Sequence, residues 1–140
     1  MSEKSTAPAT PDDRKALVSV RNTLLALHKV LLETERVRYE RANGRITDMF
    51  QLLNLTIHDP AFAWLRPLSA LIVEIDERLD DKEKPLTSAE ASAFRKEIRE
   101  LLTPKQVGSD FQRNYHWALQ ESPDAVLGHG AAIKGLGTRD

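Results

Sequence analysis

Cysteine is absent from this chain of 140 residues. That excludes disulfides, thiolate metal sites and cysteine nucleophiles, and it fits a reducing compartment. Charge of one sign is missing as well. The formal net charge is −1, so no global field favours nucleic acid, an anionic membrane or an acidic substrate. No window approaches the run of about eighteen apolar residues that a membrane span needs. The opening MSEKSTAPATPDD has no apolar core of the signal-peptide kind, and a cytoplasmic location is expected. Glycine is scarce, and four of the six fall within GHGAAIKGLGTRD, residues 128–140. That segment reads as a loose C-terminal tail, and residues 1–10 read as a flexible N-terminal one.

Signatures of catalysis and metal binding are missing too. Three positions before His28, His58, His116 and His129 stand Leu25, Leu55, Arg113 and Val126, so the Glu-x-x-His pairs of di-iron bundles do not occur. There is no His-Glu-x-x-His, Gly-x-Ser-x-Gly or Walker loop. No catalytic residue, metal or cofactor is assigned, and a non-enzyme is the favoured reading.

What remains is a helical pattern in a single domain over residues 11–127. Hydrophobic content of 41% and charged content of 29% are ordinary for a globular chain. Thr10-Pro11-Asp12-Asp13 combines a cap, a first-turn proline and two acids. The helix it starts runs to Asn43-Gly44, roughly thirty residues or about 45 Å. A short helix to Ile57 follows, with Met49, Leu52, Leu53 and Thr56 as its inner stripe and Phe50 and Ile57 alongside. A third reaches Asp80, and Pro67 either kinks it or marks its start after a short turn at 60–65. Thr87-Ser-Ala-Glu90 is a capping box for a fourth, and Ser109-Asp110 begins a fifth that ends at Ser122-Pro123. No segment alternates like a strand. The expected fold is all-α, a compact bundle of four or five helices. The connector between the long first and third helices is too short to return along the first, so those two are expected to be antiparallel.

Polar residues inside apolar arcs are the candidate site. On the first helix Arg21, His28 and Glu35 fall seven apart beside the ladder Leu17, Val20, Leu24, Leu27, Leu31. On the third, Ser69 and Asp76 lie in the arc of Leu65, Leu68, Ile72, Ile75 and Leu79, with Arg66 at its edge. Antiparallel packing places Asp76 between Arg21 and His28, and Glu35 near Arg66. A buried charge needs a partner. The favoured reading is therefore a set of ion pairs that fix helix register. The sharper one is a polar pocket in which His28 and Asp76 act as an acid–base or ligand-gripping pair.

Arg36, Arg38, Arg41 and Arg45 are interleaved with Glu35 and Glu40 and point in several directions, which fits the negative end of a helix better than a phosphate grip. The turn between the fourth and fifth helices faces a helix with one arginine, Arg113, beside Asp110 and Glu121, which argues against DNA binding. Trp117 lies off the Phe111–Tyr115–Leu119 stripe. It needs cover from the tail, through Val126, Leu127 and Ile133, or from a partner chain.

The run Phe62-Ala63-Trp64-Leu65-Arg66-Pro67-Leu68-Ser69 followed by Ile75-Asp76-Glu77 resembles small uncharacterised helical proteins of bacteria. Ala26-Leu27-His28-Lys29, Tyr39-Glu40-x-x-x-Gly44 and Leu119-Gln120-x-x-Pro123-x-x-Val126 fit the same pattern. The resemblance spans most of residues 20–130 and implies a helical fold, with no activity, ligand or site residue. The expected role is a non-catalytic binding or assembly module. Its partner is a homo-oligomer, through the wide face of the first helix or the Trp117 surface, or another protein, without nucleic acid or membrane. The alternative is a small-molecule-binding bundle or enzyme with a polar pocket between the first and third helices.

Overall fold

Every α-helix but the third, which follows directly on a 3-10 turn, starts where a side chain supplies a cap. Thr10 and Asp13 form a capping box ahead of α1, Pro11–Asn43, and Gly44 ends it at φ 91°, a conformation that favours glycine. Asp48 accepts from Gln51 N at the head of α2, Met49–His58. Asp59 caps a 3-10 turn, Pro60–Leu65, and α3 then runs Arg66–Asp80 with Pro67 in its first turn. Pro67 therefore starts the helix and does not kink it, since a first-turn proline has no intrahelical bond to lose. Capping boxes also open α4, Ser88–Leu101, and α5, Asp110–Glu121. This computed structural model describes residues 7–137. Among them there is no strand and no helix long and apolar enough to cross a membrane.

The C-terminal segment corrects the expectation of a loose tail from residue 128. Ser122 caps a sixth helix, α6, Pro123–Leu136, so the chain has six α-helices among the described residues, one more than the upper expectation. The three glycines within it did not prevent it, because two of them permit packing. A Cβ on Gly128 would stand 3.1 Å from Leu27 Cδ1, and one on Gly135 would stand 3.5 Å from Val20. Ala125, Ala132 and Leu136 are buried in the same seam. Close approach of α6 to α1 outweighs the roughly 1 kcal/mol that each glycine costs a helix. Of the expected N-terminal tail, residues 1–6 lie outside the described residues. Residues 7–9 are tied down, with Ala9 N donating to Leu86 O at 2.9 Å and Ser88 N to Ala7 O at 2.8 Å.

The core centres on α1, which touches α3, α4, α5, α6 and the 3-10 turn. Leu17, Val20, Leu24, Leu27 and Leu31 are essentially inaccessible, and each full burial contributes about 1.5–3 kcal/mol. The wide face of α1, expected as a homodimer surface, is thus filled largely by the chain's own helices. Phe62, Trp64, Phe111 and Tyr115 complete the core, with Phe111 stacked on Tyr115 at 5.2 Å between centroids. Three contacts order α1 along the 60–80 segment. Arg14 donates to Leu79 O at 2.8 Å, Arg21 pairs with Asp76, and Trp64 Nε1 donates to Glu35 at 2.8 Å.

Candidate binding groove

Glu35 is the one buried charged residue among those described, 2% exposed. It occupies the angular position of Leu17, five full turns earlier, which puts its carboxylate into the core. Its oxygens accept from Trp64 Nε1 and from Arg38, at 3.2 Å to Nε and 2.5 Å to a terminal nitrogen. Arg38 also donates to Asn114 Oδ1 at 2.9 Å, and its guanidinium carbon sits 3.6 Å from the centroid of the Trp117 ring. Five side chains from α1, α5 and the 3-10 turn are thereby locked together. The fork geometry of arginine suits both the bidentate carboxylate and the aromatic face.

The expected polar cluster is only partly assembled. Arg21 and Asp76 form their ion pair, but the two side chains are 23% and 40% exposed, at the edge of the packing and not within it. His28 is half-buried, and burial lowers its pKa. No hydrogen bond joins it to Asp76, which corrects the proposed pair. Arg21 and His28 lie roughly 20–40° past the Glu35 edge of the buried face, so they stop at its rim. Glu35 pairs with Arg38 and Trp64, not with Arg66. Arg66 is exposed and donates to Ile57 O at 2.7 Å, closing the end of α2. Ser69 Oγ donates back to Arg66 O at 3.2 Å. No buried side-chain nitrogen or oxygen among the described residues lacks a partner. The interface of α1 and α3 therefore offers no orphaned group to a ligand.

Of the three residues expected to cover Trp117, Ile133 is partly buried against the core and the other two are exposed. Val126 and Leu127 are 49% and 71% exposed and turn outward, because Ala125, Ala132 and Leu136 take the inner face of α6. Arg38 covers the ring. Trp117 then forms part of the wall of a groove of about 810 Å3, whose floor is α1 from Lys29 to Arg41. Ile46, Met49 and Leu52 line one end, and Glu121 to Asp124, the junction of α5 and α6, line the other wall. Of the four arginines read as a helix-end pattern, Arg36 pairs with Glu33 and Glu40, and Arg38 is the groove's structural pin. Among the described residues no group of three or more His, Asp or Glu side chains is placed to hold a metal ion.

No family model, curated protein or solved structure matches the chain.

Sequence reasoning missed the outer face of α2. Wound at 100° per residue, the apolar residues of MFQLLNLTIH span about 220°. Leu52 and Leu55 pack on the core, while Met49, Phe50, Leu53 and Ile57 are exposed, Phe50 by 86%. No residue of α2 is fully buried. The width of the arc was a legible signal. It marked a helix with more apolar surface than one contact can cover.

Proposed function

We propose that this protein is a non-catalytic helical binding module, and that its binding surface is the outer face of α2 together with the adjoining groove. The observation that carries this reading is the exposed ridge of Met49, Phe50, Leu53 and Ile57. Those side chains leave roughly 500 Å2 of apolar surface in water, a scale at which exposed patches mark interaction sites. The helix is held by caps at both ends, Asp48 at its start and Arg66 at its close. The surface is therefore presented in one conformation. An antiparallel course of α1 and α3 belongs to the same reading. It is supported by Arg14, Arg21 and Glu35 meeting Leu79, Asp76 and Trp64, positions that fall as the first set rises. A cytoplasmic location is supported by the absence of cysteine.

Nile red, a neutral apolar dye, tests the surface in the folded chain. Dilute protein is expected to bind it, and Phe50→Gln with Leu53→Gln is expected to abolish binding without lowering the unfolding temperature. The competing small-molecule reading places the site between α1 and α3, near His28, Glu35 and Asp76. A metabolite that stabilises the wild type, loses its effect in Asp76→Asn and keeps it in the Phe50 variant would sink the proposal in favour of that alternative.

A further inference from the structure

We infer that the occupant of this surface is a second copy of the same chain, seated across a two-fold axis; this rests on the binding surface proposed above. Charge supplies the first argument. Of the charged residues lining the groove, Glu33 and Arg36 are paired with each other, Arg38 with Glu35, and Asp48 caps α2. Lys29, Arg41, Glu121 and Asp124 remain exposed with no ion pair among the described residues. Two cations and two acids favour no ligand of single sign. They do suit a surface carrying the same four charges, and self-complementarity is the requirement of an isologous interface.

The positions of these charges fix how the copies would lie. Ile46 N donates to Glu40 at 2.9 Å, so Arg41 and the start of α2 share one end of the groove. Asn114 meets Arg38, and Gly128 lies against Leu27, so the junction of α5 and α6 falls toward the Lys29 end. The groove floor between Lys29 and Arg41 is about 18 Å long. A two-fold axis crossing α1 near the middle of that floor exchanges the ends. Each Arg41 then meets the other copy's Glu121 and Asp124, and each apolar α2 ridge lies over the other copy's Val30–Pro123 end. Val37, 38% exposed near mid-groove, faces its own counterpart. The ridge and the groove together approach the ~800 Å2 per copy that a stable interface buries.

Sedimentation and light scattering of the full chain test this with charge reversal. The wild type is expected to sediment as a dimer at micromolar concentration. Arg41→Glu and Asp124→Lys, each alone, place like charges across the axis twice and are expected to weaken association at least tenfold. Mixed in equal amounts, the two variants recreate both opposite-charge contacts and are expected to restore the dimer. Nile red separates the two levels of the proposal. A monomer at every concentration whose α2 still binds dye overturns the self-partner and leaves the surface standing. Loss of dye binding as well overturns both. A dimer that the single reversals leave unchanged, or that mixing fails to rescue, places association on another face and also overturns the inference.

Discussion

Arg38 sits over Trp117, its guanidinium carbon 3.6 Å from the ring centroid, and it is held there by a carboxylate that the solvent does not reach. The wall of the groove is therefore an extension of the core. Glu35 orders Arg38, Arg38 covers Trp117, and Trp117 stands beside α1 in the groove. Replacing Arg38 by Met keeps the apolar stem but loses the fork and the stacked cation. Trp64 is only 5% exposed, so acrylamide quenching reports chiefly on Trp117 and is expected to rise. The cation–aromatic contact is worth about 0.5–2 kcal/mol. An unchanged quenching constant would mean that the ring is covered by something other than Arg38.

Glu35 carries a second expectation, because its two donors differ in access to water. Trp64 Nε1 is buried, whereas the Arg38 side chain is 38% exposed and can be hydrated when released. Glu35→Gln retains an acceptor for the indole and is expected to cost about 1–2 kcal/mol in urea unfolding. Glu35→Ala leaves the indole N–H unpaired in the core and is expected to cost about 3 kcal/mol. Equal losses in the two variants would show that the indole bond contributes nothing.

The helical caps, the long α1 and the core ladder were legible in the sequence because they depend on local residue type and on a period of 3.6. Pairing Arg21 with Asp76 followed from the reach of the connector. The rest needed contacts that a single-helix wheel does not contain. Glu35 and Arg38 share the angles of Leu17 and Val20, five turns away, yet only Glu35 reads as inward, while Arg38 groups with the arginines of the helix end. Their partners Trp64, Asn114 and Trp117 come from elements whose placement no spacing rule supplied. The α6 helix was obscured because glycine lowers local propensity, and only the close approach to Leu27 and Val20 shows why the glycines are useful there. The exposure of Phe50 was hidden for the opposite reason. The wheel shows an arc too wide for one contact, but it cannot say which half of that arc finds cover within the chain.

Acid should weaken one defined ion pair. Arg78 grips Glu90 at 2.7 and 3.1 Å, and Thr87 N adds a bond at 2.9 Å. The arginine first, and then the backbone N–H, hold the Glu90 pKa at about 2, below its ordinary 4.5. The folded state thus releases this proton more readily than the unfolded state. The stabilisation is complete above about pH 4.5 and is lost as pH falls toward about 2. Glu90→Gln keeps an acceptor for the capping box and removes the charge. The gap in unfolding free energy between wild type and variant is expected to be about 1–2 kcal/mol at pH 7, since the carboxylate is about one-third exposed and solvent screens the pair. It is expected to close across pH 4.5 to 2, and a gap that persists at pH 2 would assign the stabilisation to shape and not to charge.

Two glycines of α6 should respond in opposite ways, and the contrast tests whether this segment is a packed helix. A Cβ at Gly130 meets nothing within 4 Å, so Gly130→Ala adds only helix propensity and is expected to stabilise the chain by about 0.5–1 kcal/mol. A Cβ at Gly128 stands 3.1 Å from Leu27 Cδ1, and Leu27 is fully buried with little room to yield. The gain in propensity there is offset by crowding, so Gly128→Ala is expected to be close to neutral. Gly128→Val adds two methyl groups against α1 and is expected to cost about 1–3 kcal/mol. Thermal unfolding of the three variants gives the order. If all three lay within a few tenths of a kcal/mol of the wild type, as surface substitutions usually do, residues 123–136 would be no part of the cooperative fold, and the seam between Leu27 and Gly128 would not hold α6 in place.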